Sequence, residues 1–143
     1  MPIQQGATNA FKTGLPLSTF NFATDTFKIA LYTGAANIGP TTLSYTTTGE
    51  TSGTGYVAGG KTLTVSVQPT IGPNLNDTIA YLSFDNVTWN PAAFTCRGAL
   101  IYKVGGGNPT VCVLDFGGDK TATTSFQVQF PTANNTNAII RIA

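Results

Sequence analysis

The sequence predicts an all-β domain, a single antiparallel β-sandwich of jelly-roll type with an extended N-terminal arm. Three observations lead there. Apolar residues alternate with polar or small ones over short runs, Gly and Pro punctuate the chain between those runs, and hardly any window can hold three uninterrupted helical turns. A chain of 143 residues is long enough to close one hydrophobic core. Neither an internal repeat nor a second zone of composition marks a second domain.

Residues 1–24 come first and stand apart. They carry Phe11, Leu15, Leu17, Phe20 and Phe22 without a sustained period, and Gly14 and Pro16 interrupt any helix. The segment reads as an arm, with a short helix over residues 10–13 as a local variant. Apolar groups that cannot form a core alone are buried against something else. These five side chains are therefore the expected interface, facing a neighbouring subunit. The other arrangement is an arm lying over the edge of its own sandwich.

The sandwich itself is expected over residues 25–143. Its strands read as residues 27–32, 61–67, 79–84, 87–89, 94–103, 111–116, 125–130 and 138–142. The alternation is cleanest in two of them. Leu63, Val65 and Val67 share one face, and Phe126, Val128 and Phe130 share another, with Gln127 and Gln129 opposite. Residues 125–130 are accordingly expected to be a central, buried strand. Turn residues separate the runs at 34–40, 49–55, 69–76, 90–91, 105–109 and 117–118.

Two cysteines, Cys96 and Cys112, fall on consecutive predicted strands. A hairpin centred near Gly106 and Gly107 puts Cys112 opposite Ile101, roughly five residues at ~3.3 Å each from Cys96. That is too far for a disulfide, so both are expected to be free thiols.

Composition then excludes function classes. Net charge is +1, and the seven Lys and Arg are spread singly, so no basic run is available for a phosphate backbone. Nucleic acid is not an expected partner, and neither is a membrane, because every apolar run is far shorter than the ~20 residues of a span. The first residues lack the charged start and apolar run of a secretory signal, which points to synthesis in a cytoplasm. With 9% charged residues, the polar surface must come from Thr, Ser, Asn and Gln, a surface suited to being packed among neighbours.

The chain has no histidine, so the commonest general base and metal ligand is missing. No catalytic residue, cofactor or metal is expected. Asp115 and Asp119 flank Gly117 and Gly118, but a strand end and a turn account for them better than the six or so oxygen ligands of a calcium site. Gly55, Gly60, Lys61 and Thr62 match the phosphate-loop pattern letter for letter. That motif needs a buried strand before it and a helix after it. Here residues 50–54 make no such strand, and a strand pattern follows. Tyr45 and Tyr56, in Thr- and Gly-rich loops, are the aromatic residues best placed to line a carbohydrate site.

Several blocks in register resemble a known family. They are residues 25–33 (Asp25 to Thr33), 52–60 (Ser52 to Gly60) with Thr62 and Leu63, 84–89 (Phe84 to Trp89), 95–103 (Thr95 to Lys103) and 114–121 (Leu114 to Thr121). In this order and spacing they look like a widespread family of small virion structural proteins of tailed bacteriophages, over about residues 25–130. The resemblance implies a capsid cement or decoration protein on the particle exterior. Such a protein bridges subunits of the major capsid protein, as a homotrimer whose arm touches the capsid, and brings no catalytic residues. A tail- or fibre-associated module that binds a receptor or carbohydrate is the alternative it leaves open. Two features depart from the pattern: residues 14–16 argue against the short opening helix of the family, and residues 138–142 add a strand.

Overall fold

A computed structural model of the chain describes residues 3–72, 77–134 and 136–142. It is an antiparallel, nearly all-β sandwich. The main sheet has the order β1 (Gly6–Ala7), β8 (Thr110–Ala122), β7 (Phe94–Lys103), β2 (Phe27–Tyr32), β3 (Lys61–Leu63). The second layer holds β4 (Val65–Ile71), β5 (Ala80–Phe84), β6 (Val87–Trp89), β9 (Phe126–Val128) and β10 (Ile140–Ile142). There β10, β5 and β4 form a three-stranded sheet, and β6 pairs with β9. β9 runs antiparallel to β6, and β10 antiparallel to β5, the strand before β6.

The central strands explain the rest. β2 and β7 are buried along most of their length, which requires cover on both faces of the main sheet. On the first face Phe27, Ile29, Leu31 and Ile101 meet Leu82, Phe84, Val87 and Trp89 of the second layer. On the other face Ala30, Tyr32, Leu100 and Tyr102 meet Ile3, Ala36 and Ile38, with Tyr45 packed against them.

The hairpin of β7 and β8 has the expected register, with Cys112 opposite Ile101, and both cysteines are buried free thiols. Gly117 and Gly118 do not end a strand, however. β8 continues to Ala122, and residues 116–119 form a bulge between the pairs Gly98↔Asp115 and Cys96↔Lys120. The strand expected at 125–130 is shorter and lies elsewhere. β9 pairs only with β6, so it is not central. Its alternation holds, with Val128 buried, Phe126 and Phe130 half-buried and Gln127 exposed. An apolar stripe reports which side of a strand is covered, not how many neighbours the strand has. Residues 73–76 of the expected 69–76 turn lie outside the described residues.

The N-terminal segment is the main correction. It does not extend; β1 adds two residues to the edge of β8, and α1 (Asn9–Gly14) follows. Thr8 caps the helix by accepting from the Phe11 N–H, while its own hydroxyl donates to the carbonyls of Thr110 and Val111. Phe11, Phe20 and Phe22 are buried in the first-face core, where Phe22 stacks on Phe27 at 4.6 Å between ring centroids. Leu15 packs partly against the same core, and Leu17 alone of the five is exposed. Lys103 ties the segment down by donating to the Thr19 carbonyl and pairing with Asp25 at 3.4 Å. The aromatic groups that the sequence assigned to a neighbour are thus satisfied within the chain.

Candidate functional site

The main concentration of ionisable side chains lies along the outer edge of β2. β3 pairs with β2 only at Phe27, Lys28 and Ile29. The edge of Ala30–Tyr32 would otherwise present unpaired backbone groups, and residues 49–60 satisfy them. The Thr51 N–H donates to the Leu31 carbonyl, the Thr33 N–H to the Gly49 carbonyl, and the Leu31 N–H to the Tyr56 hydroxyl, each at 2.9 Å.

Glu50 sits at the centre. Its Oε1 accepts from the Tyr56 hydroxyl at 2.6 Å and from the Gly59 N–H at 2.8 Å, and its Oε2 accepts from the Tyr45 hydroxyl at 2.7 Å. Tyr45 stacks on Tyr102, whose hydroxyl donates to the Gly59 carbonyl at 2.6 Å. Tyr32 completes the group by donating to the Thr46 carbonyl. Burial, reinforced by the Glu50 carboxylate, raises the pKa of all four tyrosines, Tyr32, Tyr45, Tyr56 and Tyr102. They are held as neutral donors, so none serves as a base near neutral pH.

The phosphate-loop pattern is part of this cluster, and its geometry is set by packing within the chain. A Cβ on Gly60, at φ +80°, would lie 1.8 Å from the Ile29 carbonyl oxygen; one on Gly55, at φ +85°, would lie 1.8 Å from that of Pro91. Both glycines are there so that two backbones can touch. Lys61 points away from the Gly59 amide, donating to the Thr88 carbonyl and lying 5.8 Å from the centroid of the Trp89 ring. A bound phosphate needs the loop amides and the lysine to converge. Here Gly59 faces a carboxylate belonging to the same chain, and the lysine lies elsewhere.

The other candidates are separated too. Asp115 accepts from the Gly117 N–H, while Asp119 pairs with Arg97 at 3.6 Å. Among the described residues no group of three or more Cys, Asp or Glu is placed to hold a metal. No helix of the described residues is long and apolar enough to cross a membrane. Tyr45 and Tyr56 are half-buried with their hydroxyls on Glu50, so neither offers a free ring face and hydroxyl together to a sugar.

The sequence reading missed Glu50. One signal was present: it is the single Glu of the chain, flanked by Tyr45 and Tyr56 in a stretch otherwise made of Thr, Ser and Gly. Large apolar side chains project from the surface, among them Leu17 at 76% and Val57 at 74% exposure, with Leu43 and Ile71 also exposed. A groove of ≈ 440 Å³ lies between β8 and residues 128–131 and 138–141. Compared with protein-family models, with curated proteins and with solved structures, the chain matches none.

Proposed function

We propose that this chain is a bacteriophage virion structural protein, a capsid cement or decoration protein that binds the exterior of the head as a homotrimer. It stabilises the head by bridging subunits of the major capsid protein, through buried area and shape rather than catalysis. The resemblance of residues 25–130 supplies the particle context. The observation that carries the surface role is the placement of exposed apolar groups on anchored loops.

Val57 stands on the loop that Glu50 and the Gly60 contact hold against β2. Leu43 is anchored too: its carbonyl accepts from the Thr110 N–H, and the adjoining Ser44 bridges to Pro109. A loop backbone already held in place loses little entropy on docking, so the apolar area it carries converts efficiently into affinity. The chain carries few charged residues, which lowers the desolvation cost of a subunit interface. The arm contributes through Leu17, the one exposed member of its five apolar residues.

The test is occupancy on capsids stripped of this protein. Val57→Asp and Leu43→Asp are expected to retain the thermal midpoint and to lose binding, with the protein otherwise present in hundreds of copies per particle. Full occupancy by both variants overturns the assigned surface. A count of a few dozen copies overturns the head location in favour of a tail- or fibre-associated module.

A further inference from the structure

Trp89, the single tryptophan of the chain, is 1% exposed, and its indole N–H meets no acceptor among the described residues. The Lys61 ammonium lies 5.8 Å from the centroid of its ring. Both features matter when the indole loses an electron. A radical cation formed there has no neighbour to take its proton, is poorly solvated by an apolar core, and faces a second positive charge. It is therefore a strong oxidant toward an adjacent donor.

Tyr56 is that donor. Its ring stacks beside Trp89 at 6.3 Å between centroids. Its hydroxyl, fixed by the Leu31 N–H, donates to Glu50 Oε1 at 2.6 Å, the short contact of a charge-assisted bond. A phenol gives up an electron readily when its proton can leave at the same time, and the carboxylate is placed to take it. The same carboxylate holds the Tyr45 hydroxyl on Oε2 at 2.7 Å. Tyr45 is half-buried and stacks on Tyr102 at 4.7 Å, so the line of groups runs from the core to the surface.

We propose that Trp89, Tyr56, Glu50 and Tyr45 form a relay that carries an oxidising equivalent out of the core, from an oxygen-centred radical to a soluble reductant. The radical takes one electron from Trp89. Tyr56 restores Trp89 with one electron and passes its proton to Glu50 Oε1, leaving a neutral tyrosyl radical and a neutral carboxyl group. Tyr45 then gives its electron to Tyr56 and its proton to Oε2, while Oε1 returns a proton to Tyr56. An enediolate such as ascorbate reduces Tyr45 by one electron, becomes its own radical and releases its proton to water. Glu50 hands the last proton back to Tyr45, and the starting state is restored. The relay stands apart from the virion reading, since it uses none of the exposed apolar groups.

The experiment excites Trp89 alone with a flash, in the presence of a soluble cobalt(III) ammine that takes the electron, and follows both radicals by absorbance. Loss of the tryptophan radical and rise of the tyrosyl radical are expected at one shared rate, lower in heavy water. Tyr56→Phe should lose that rise and leave the tryptophan radical to persist. Glu50→Gln keeps an acceptor oxygen without a base and should slow the rise roughly a hundredfold. Tyr45→Phe should leave the rise unchanged and delay quenching by ascorbate. Tyr81→Phe, on β5 and outside the cluster, should change neither. A tyrosyl rise of unchanged rate in folded Tyr56→Phe overturns the relay. The heavy-water comparison needs no substitution, so equal rates in the two solvents overturn the proton step even where a variant fails to fold.

Discussion

The two faces of the main sheet are covered by opposite means. The first is covered mainly by strands, with α1 and the chain after it adding Phe11, Phe20 and Phe22, and its contacts are apolar: Phe27 meets Phe22 and Phe84, while Ile29, Leu31 and Ile101 complete the layer. The second is covered by irregular chain, from Ile3 and from residues 33–60, and the sheet answers it with Tyr32 and Tyr102. Strands satisfy their backbone groups among themselves, so what lies beneath them can be wholly apolar. Loops bring unpaired carbonyls, and a buried carbonyl without a donor is costly. A tyrosine supplies a large ring and one hydroxyl, which is what that surface requires. Tyr32 serves Thr46, and Tyr102 serves Gly59. Glu50 links the two systems, since Tyr45 packs on the second face and Tyr56 stacks beside Trp89 and Phe94 of the first.

If this division is right, the largest loss of stability comes from the apolar face. Phe27 is almost fully buried among Phe20, Phe22 and Phe84, so truncating it leaves a large cavity. Phe27→Ala should cost about 3–5 kcal/mol in urea unfolding. Phe126 offers a graded comparison. It is half-buried on a two-stranded sheet, and truncating it should cost clearly less than truncating Phe27.

The polar face should break differently. Glu50→Ala removes the acceptor from two hydroxyls and one amide, in a site that is only partly buried. A loss of about 3 kcal/mol is expected. Amide exchange should rise first at Leu31 and Gly59 while the strands of the first face keep their protection. Global unfolding with no such local stage would show that the cover of the second face does not open separately.

How much of this was legible depends on what each residue pattern encodes. The all-β class and the hairpin register were readable, because alternation and a glycine turn state the facing of a strand and the centre of a hairpin. The helix near the N-terminus was only half legible. Gly14 and Pro16 read as interruptions, whereas in the structure Gly14 ends the helix that Thr8 begins and Pro16 lies in the turn beyond it. The fate of Phe11, Phe20 and Phe22 was not readable. An apolar side chain declares that it will be buried and says nothing about which surface buries it. Glu50 was missed for a related reason, since its donors come from residues 45, 56 and 59, whose convergence depends on the course of the loop.

Alkaline pH probes both faces at once. Burial pushes the thiols of Cys96 and Cys112 up to about 12, from an ordinary 9.0. Burial, with Glu50, raises the four tyrosines as well. These groups are neutral when protonated, so above pH 9 the unfolded chain loses protons that the folded chain keeps. The stability they confer is therefore intact below 9 and falls as pH rises through the interval from 9 to 12. By pH 10 a falling urea midpoint is expected. A midpoint flat from pH 8 to 11 would mean that the thiols reach solvent.

The smallest effect belongs to Lys61, and it concerns the part of the loop that looked most like chemistry. The Gly59 amide faces inward, where Glu50 holds it. Lys61 faces outward, over Trp89 and onto the Thr88 carbonyl. A phosphate placed at the amide would meet the Glu50 carboxylate and would have no ammonium beside it. Coulomb repulsion and the missing cation both oppose binding, and neither is relieved by moving a flexible side chain, because the carboxylate is fixed by three donors. What Lys61→Ala removes is one exposed contact with an aromatic ring and one hydrogen bond at the surface. The expected loss is below about 1 kcal/mol, with the fold unchanged. Adding ATP at millimolar concentration should leave the melting curve of the unsubstituted protein where it was. A saturable upward shift that disappears in Lys61→Ala would mean that the loop opens, releases Glu50 and brings the lysine round, and the boundary between the two faces would then be a moving part.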